Sequence, residues 1–292
     1  MMKFLKAKAS AVIAAALALT VGVSGMILHL ATPAHASELS ISGASVETYV
    51  GARAITDGQL VGSEDAPVSM SVFVTGGSTD KYNADNLPWT HNGSGWASDG
   101  TIYYEGADSD QAISACSPYR EDAVNGAITV NAAEQVDYLV ATATPVTSEA
   151  VSLTMTHAMA KLGLLPTWGN EVAEADRAIA KVEVHGLYAT GTLQVTDNSW
   201  TDLGSPTATL EMNEDCELLV IPMANCPSFA MTVTLEDGRV FRTTISLEGN
   251  ENTLQGGTQY GITLQIGRDP AAVGEISAQA WIPVDGGTLV TE

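Results

Sequence analysis

Past residue 36 the chain runs as a succession of short stretches rich in Val, Ile, Leu, Thr and Tyr, separated by Gly, Asn, Asp, Ser and Pro. The clearest are residues 68–74, 126–130, 135–140, 151–155, 230–235, 240–247 and 260–266. Several alternate apolar and polar positions, which in an extended chain sends one set of side chains to a core and the other to water. This pattern predicts many short, half-buried strands in sheets packed face to face, an all-β protein rather than a parallel α/β one.

Turn chemistry supports the same reading. Asp237-Gly238 stands between Thr234-Leu235 and Val240-Phe241, and Asp-Gly favours the backbone twist of a tight hairpin. Residues 90–100 are crowded with Asn, Gly, Ser and Asp and predict turns that carry Trp89 and Trp96 into a strand at residues 101–104. Helix is expected only as a short turn after His157, over residues 158–162, and over residues 171–178.

The first residues break this pattern. Lys3, Lys6 and Lys8 precede an apolar run from Ala11 to Leu28, which ends near the small-residue pattern Ala34-His35-Ala36. That arrangement predicts a secretory signal over residues 1–36, with cleavage before Ser37. The run also reaches the lower length limit of a membrane span, so an uncleaved anchor is the second reading. The remainder is long enough for two cores, and the Thr/Ala/Pro/Ser stretch at residues 141–149 predicts a division into domains 37–145 and 146–292.

The chain holds 12 Lys and Arg against 34 Asp and Glu, and three of the lysines fall in the signal. So acidic a surface repels phosphate backbones and anionic lipid headgroups, which argues against nucleic acid as a partner. Its plainest use is solubility at a cell surface. Three cysteines do not make a disulfide scaffold. Cys216 and Cys226 flank the apolar stretch 218–221, and the spacing fits either a bridge across a hairpin or two buried thiols.

Candidate chemistry is sparse. His91, His157 and His185 stand apart from one another with no metal-ligand spacing, and no Gly-x-Ser-x-Gly elbow or phosphate-cradling glycine loop is present. The pairs Asp108/Asp110 and Asp197/Asp202 lack the calcium-loop pattern and read more simply as Asx-turns. The many carboxylates single out no catalytic pair. Trp89, Trp96, Tyr103, Tyr104 and Tyr119 crowd one stretch, where aromatics at strand spacing fill a sandwich core more often than they form a sugar-stacking platform. No cofactor is expected, and no enzymatic activity.

Several segments, in order, resemble the fimbrillin-like family of bacterial surface proteins. They are residues 52–56, the strand ending at Val74, Trp96 with Ile102-Tyr103-Tyr104, and Ser117-Pro118-Tyr119. Residues 151–162 follow, then 186–191 with Trp200, 256–260 and 276–281. The resemblance implies two tandem β-sandwich domains of transthyretin-like type, with His157 a packed structural residue at a strand-to-helix corner. It also implies a structural or accessory subunit of adhesive pili at the cell surface, in fimbriae or outside the cell. Its partners would be other pilus subunits or copies of itself, and host protein or glycan.

The assembly mechanism implied is strand addition, in which removal of an N-terminal strand opens a groove that an extended segment of the next subunit fills. Arg53, the sole basic residue between Ser37 and Lys81, is the candidate processing site. Ile282, Val284, Leu289 and Val290 are the candidate donor residues of the tail, although Pro283 cannot donate to a ladder and the signal carries no cysteine for a lipid anchor. A non-polymerising adhesin or binding module with the same fold, and a secreted hydrolase, are the alternatives.

Overall fold

The computed structural model describes residues 37–50, 53–248, 251–267 and 272–280. Among them the regular structure is strand, apart from single 3-10 turns at Asp80–Tyr82, Ala132–Glu134 and Glu174–Asp176. In chain order the first strands are β1 (Ser40–Val50), β2 (Arg53–Gln59), β3 (Val68–Thr75), β4 (Ala84–His91), β5 (Trp96–Ser98) and β6 (Ala112–Ser117). They are followed by β7 (Ala127–Asn131), β8 (Leu139–Pro145), β9 (Ala150–His157), β10 (Ala160–Trp168), β11 (Ile179–Leu187), β12 (Thr190–Gln194) and β13 (Ser199–Thr201). The last are β14 (Ala208–Glu211), β15 (Glu217–Val220), β16 (Ser228–Leu235), β17 (Val240–Ser246), β18 (Thr258–Ile266) and β19 (Ala272–Ala280).

These form an eight-stranded sheet in the order β2-β1-β9-β8-β6-β3-β4-β5 and two four-stranded sheets, β15-β10-β18-β19 and β14-β11-β16-β17. A three-stranded sheet, β13-β12-β7, joins a strand of the first half to two of the second. Most pairs are antiparallel; β1 with β9 and β10 with β18 are parallel. The predicted hairpin is present, with Thr234 opposite Val240 and Gly238 at φ 85°, a left-handed conformation open to glycine at little cost.

Two apolar cores result. One gathers Leu39, Ile41, Ala44, Met70, Val72, Val74, Ile113, Leu153 and Met155; the larger collects residues from the three smaller sheets. The centre of the eight-stranded sheet feeds both. On β3, Met70, Val72 and Val74 face the first core while Phe73 enters the second, and Cys116 of β6 and Val140 of β8 enter the second as well. Burial on both faces explains why β3 lacks exposed positions from Met70 to Val74.

Several expectations change. The turn of helix after His157 is instead the start of β10, where Ala160, Leu162 and Leu164 are buried and Lys161 and Gly163 are not. This period of two can bury one face only in a strand, and β10 gains ladder partners on both sides, β15 and β18. Over residues 171–178 the helical part is limited to the 3-10 turn Glu174–Asp176. Residues 101–104 make an isolated bridge, Tyr103 to Glu38, rather than a strand. Pro145 ends β8 and Val146 follows it, and both β8 and β9 belong to the eight-stranded sheet.

Candidate assembly site at strand β1

β1 is held on both edges. On one side it runs antiparallel to β2, with Val50 opposite Arg53; on the other it runs parallel to β9, from Ser40 opposite Ala150 to Val46 opposite Met155. Leu39, Ile41, Ala44 and Val46 are buried, and the register shifts between Ile41 and Gly43, so a bulge separates the first two anchors from the last two. Each of Leu39, Ile41 and Val46 contributes about 1.5–3 kcal/mol by leaving water.

The approach to the strand is tied down by backbone hydrogen bonds. Leu39 N–H donates to the Ile102 carbonyl at 2.8 Å, Tyr104 N–H to Ser37 at 2.8 Å and Ser40 N–H to Glu149 at 2.8 Å. The Ser42 hydroxyl donates to the Val151 carbonyl at 3.0 Å. Residues 37–46 thus seat against β9 and residues 102–104, far away in sequence, while β2 takes up β1 from Ser45 onward. Arg53 is the first residue of β2 and lies opposite Val50, the last of β1.

The other sequence candidates are scattered. Ile282, Val284, Leu289 and Val290 lie outside the described residues, as does the signal segment. Cys116, Cys216 and Cys226 are free thiols, so the bridge that the 216–226 spacing allows is not formed. His157 is buried with its Nδ1 2.9 Å from Asp137 Oδ1, a packed residue at a strand-to-strand corner. His185 holds Thr209 and Thr232 at 2.8 and 3.0 Å through its two ring nitrogens.

Asp197 Oδ1 accepts from Ser199 N–H at 3.0 Å, an Asx-turn whose hydrogen bonds hold its carboxyl below the usual range. Among the described residues no group of three His, Cys, Asp or Glu could hold a metal ion. The aromatic stretch is used in packing: Trp89 is buried in the first core, against which Trp96 and Tyr104 pack. Trp96 meets His91 edge-on at 5.4 Å, and the Tyr104 hydroxyl donates to the Thr147 carbonyl at 3.0 Å.

Sequence reasoning missed three polar clamps. Gln111 is fully buried; its Nε2 donates to the Tyr82 and Tyr103 carbonyls and its Oε1 accepts from Glu105 N–H. Gln135 caps the edge strand β15, accepting from Leu219 N–H at 2.8 Å and donating to the Leu219 carbonyl at 2.9 Å. Arg120 grips Asp122 through two bonds of 2.9 Å and also reaches the Tyr138 hydroxyl, which holds its guanidinium charged and the Asp122 carboxyl below its usual range. A lone glutamine or arginine carries no pattern that would announce such a role.

The fimbrillin-like family model matches residues 52–281, most of the chain. The chain belongs to the fimbrillin-like family. Two solved structures are similar to this fimbrillin-like protein. A candidate cell adhesion protein from Bacteroides uniformis superposes with a TM-score of 0.64 at 22% identity, covering 84% of this chain and 99% of the other. A candidate cell adhesion protein from Bacteroides ovatus gives 0.64 at 17% identity, over 86% and 99%. At these identities the likeness establishes the fold. No curated protein matches the chain. Among the described residues no helix of this fimbrillin-like protein is long and apolar enough to cross a membrane.

Proposed function

We propose that this fimbrillin-like protein is a surface subunit of adhesive pili that assembles by strand addition, with β1 as the element that is replaced. The observation that carries this reading is the position of β1. Its first part pairs with β9 and its last part with β2, it and the preceding Leu39 bury four apolar residues, and it is followed in the chain by Arg53 at the start of β2. A cut after Arg53 leaves β1 held by non-covalent contacts alone. Its departure exposes the edge of β9 and the places of Leu39, Ile41, Ala44 and Val46, which an extended segment running parallel to β9 fills.

The donor is the tail of another copy or of a different subunit, with Ile282, Val284, Leu289 and Val290 as its anchors in this chain. The working surface is the cell exterior, and no catalytic step is assigned. The test is size-exclusion chromatography with light scattering on Ala36–Glu292, a compact unit, before and after an arginine-specific protease, with intact mass to locate the cut. Conversion of a monomer into oligomers after cleavage at Arg53 is the expected result. A cut product that remains monomeric and keeps residues 37–53 bound moves the assignment to a non-polymerising adhesin.

A further inference from the structure

The chain does not bury its side chains along β9 at even spacing. Leu39 and Ile41 are buried, the register against β9 shifts between Ile41 and Gly43, and the next buried apolar residues are Ala44 and Val46. The bulge sets an extra residue into β1, so the inward positions recur after two, three and two residues instead of after two throughout. A segment that replaces β1 must run parallel to β9 and repeat that uneven spacing. It must also be small at the third position, because Ala44 is 1% exposed and a longer side chain there overfills the core.

The tail carries this spacing. Laid on β1 without a gap and in the same direction, it sets Ile282 on Leu39, Val284 on Ile41, Gly287 on Ala44 and Leu289 on Val46. Gly286 falls on Gly43 beside the register shift, and Thr288 falls on the buried Ser45, hydroxyl for hydroxyl. Val290 falls on Glu47, past these positions. Shifting the tail by one residue either way puts Pro283 or Asp285 in the place of Ile41, and shifting it by two puts Asp285 or Leu289 in the place of Ala44. A buried carboxylate without a partner and an overfilled small position are both costly, so the spacing admits one register.

The tail is the weaker occupant of the two. Pro283 falls on Ser40, whose N–H donates to the Glu149 carbonyl at 2.8 Å, and proline has no N–H. Asp285 falls on Ser42, whose hydroxyl donates to the Val151 carbonyl at 3.0 Å, and an ionised carboxylate has no proton to donate. An intact β1 therefore keeps its place, and the tail enters only after β1 has gone.

The tail of the same chain does not reach. Ala280 pairs with Thr258, and Gly257 N–H donates to the Met159 carbonyl at 2.9 Å, so the tail departs beside the end of β9. The place of Leu39 is beside the beginning of β9, because Ser40 stands opposite Ala150. The 8 residues of β9 span roughly 26 Å at about 3.3 Å per residue. Ile282, two residues past Ala280, reaches about 7 Å.

We infer that the donor is the tail of a second copy of this chain, seated parallel to β9 in a single register, with Ile282, Val284, Gly287 and Leu289 in the places of Leu39, Ile41, Ala44 and Val46. The assignment rests on strand addition at β1 and adds to it the partner and the register. Each copy carries both the groove and a tail that fits it, so the product is a head-to-tail polymer of identical subunits.

The test mixes two variants of Ala36–Glu292, cuts them after Arg53 and oxidises the product. One carries Thr154→Cys, at the exposed β9 residue opposite Ser45; the other carries Gly286→Cys, Thr288→Cys or Val290→Cys. Peptide mass mapping reads the disulfides, with unsubstituted protein giving the background from half-buried Cys216. The expected result is oligomers in which the bond from position 154 to position 288 exceeds those to 286 and 290 about tenfold, since a disulfide needs Cα atoms within about 7 Å. Gly287→Leu should raise the concentration for half-assembly about tenfold, while Val290→Ser leaves it within about twofold; an unchanged melting temperature before the cut shows that each variant is folded. Oligomers in which position 154 bonds preferentially to 286 or 290, or to none of the three, or which form equally well with Gly287→Leu, overturn the register and leave strand addition standing. A cut protein that stays monomeric yet rebinds a synthetic peptide of residues 37–50 overturns the second copy as donor in the same way. A cut protein that keeps residues 37–53 bound and forms no oligomers overturns both.

Discussion

Burial pushes the Cys116 thiol up to about 12 from the ordinary 9.0, because a thiolate in the second core has no water around it. Cys216 and Cys226 are raised by the same loss of water. A thiol held neutral in the folded state adds stability that is fully present below 9.0, the unfolded value, and is lost as pH rises from there toward about 12. Reactivity follows exposure. Brief iodoacetamide treatment of the native protein at neutral pH should modify half-buried Cys216 first and Cys116 last, with all three modified in denaturant. Peptide mass mapping reads the order. A denatured protein in which Cys116 alone reacts would show that Cys216 and Cys226 are bridged after all. From sequence the bridge was the lesser of two readings beside two buried thiols, since ten residues of separation say nothing about where the Cβ atoms point.

Among the elements, those with apolar alternation and a local partner were legible and those whose identity depends on partners across the fold were less so. The hairpin β16–β17 could be read because both its turn and its strands are local. β10 was misread because its opening, Ala-Lys-Leu-Gly-Leu, suits a helix as well as a strand, and the ladder with β15 and β18 decides between them. The edge strand β15 depends on a partner no pattern announces. Gln135, itself at φ 53°, offers its side-chain amide to both backbone groups of Leu219. Gln135→Ala strips that partner away, and the expected loss is about 1–3 kcal/mol, because Leu219 N–H and C=O are left with poorer partners. Urea unfolding should show a lower midpoint at unchanged slope; no change in midpoint would mean that water replaces the amide without cost.

For the molecule as a whole, the formal net charge of −22 sets a repulsion that no single ion pair offsets. Several cations are already engaged locally, Lys161 with Glu217 at 2.6 Å, Lys181 with Glu183 at 2.9 Å and Arg239 with Asp237 at 2.6 Å. Exposed pairs of this kind contribute only about 0–1 kcal/mol each, so the unpaired carboxylates dominate. Raising sodium chloride from 0.01 to 0.1 M shortens the screening length from about 30 to about 10 Å, and the melting temperature should rise over that interval. A flat or falling melting temperature would mean that the pairs outweigh the repulsion.

The all-β class, the alternation of strands such as β16 and β17, the Asp237-Gly238 turn and the acidity were determined by the sequence alone, because alternation and turn chemistry are local and charge is a matter of composition. Only the tertiary structure decided that β1 lies between β2 and β9, that β3, β6 and β8 feed two cores at once, and that Asp85 accepts from Asn125 N–H. Apart from the β1–β2 pairing, those relations join residues dozens of positions apart. Alternation tells each strand which side is apolar, but it does not name the strand or core that covers that side, and the choice is made when the sheets pack.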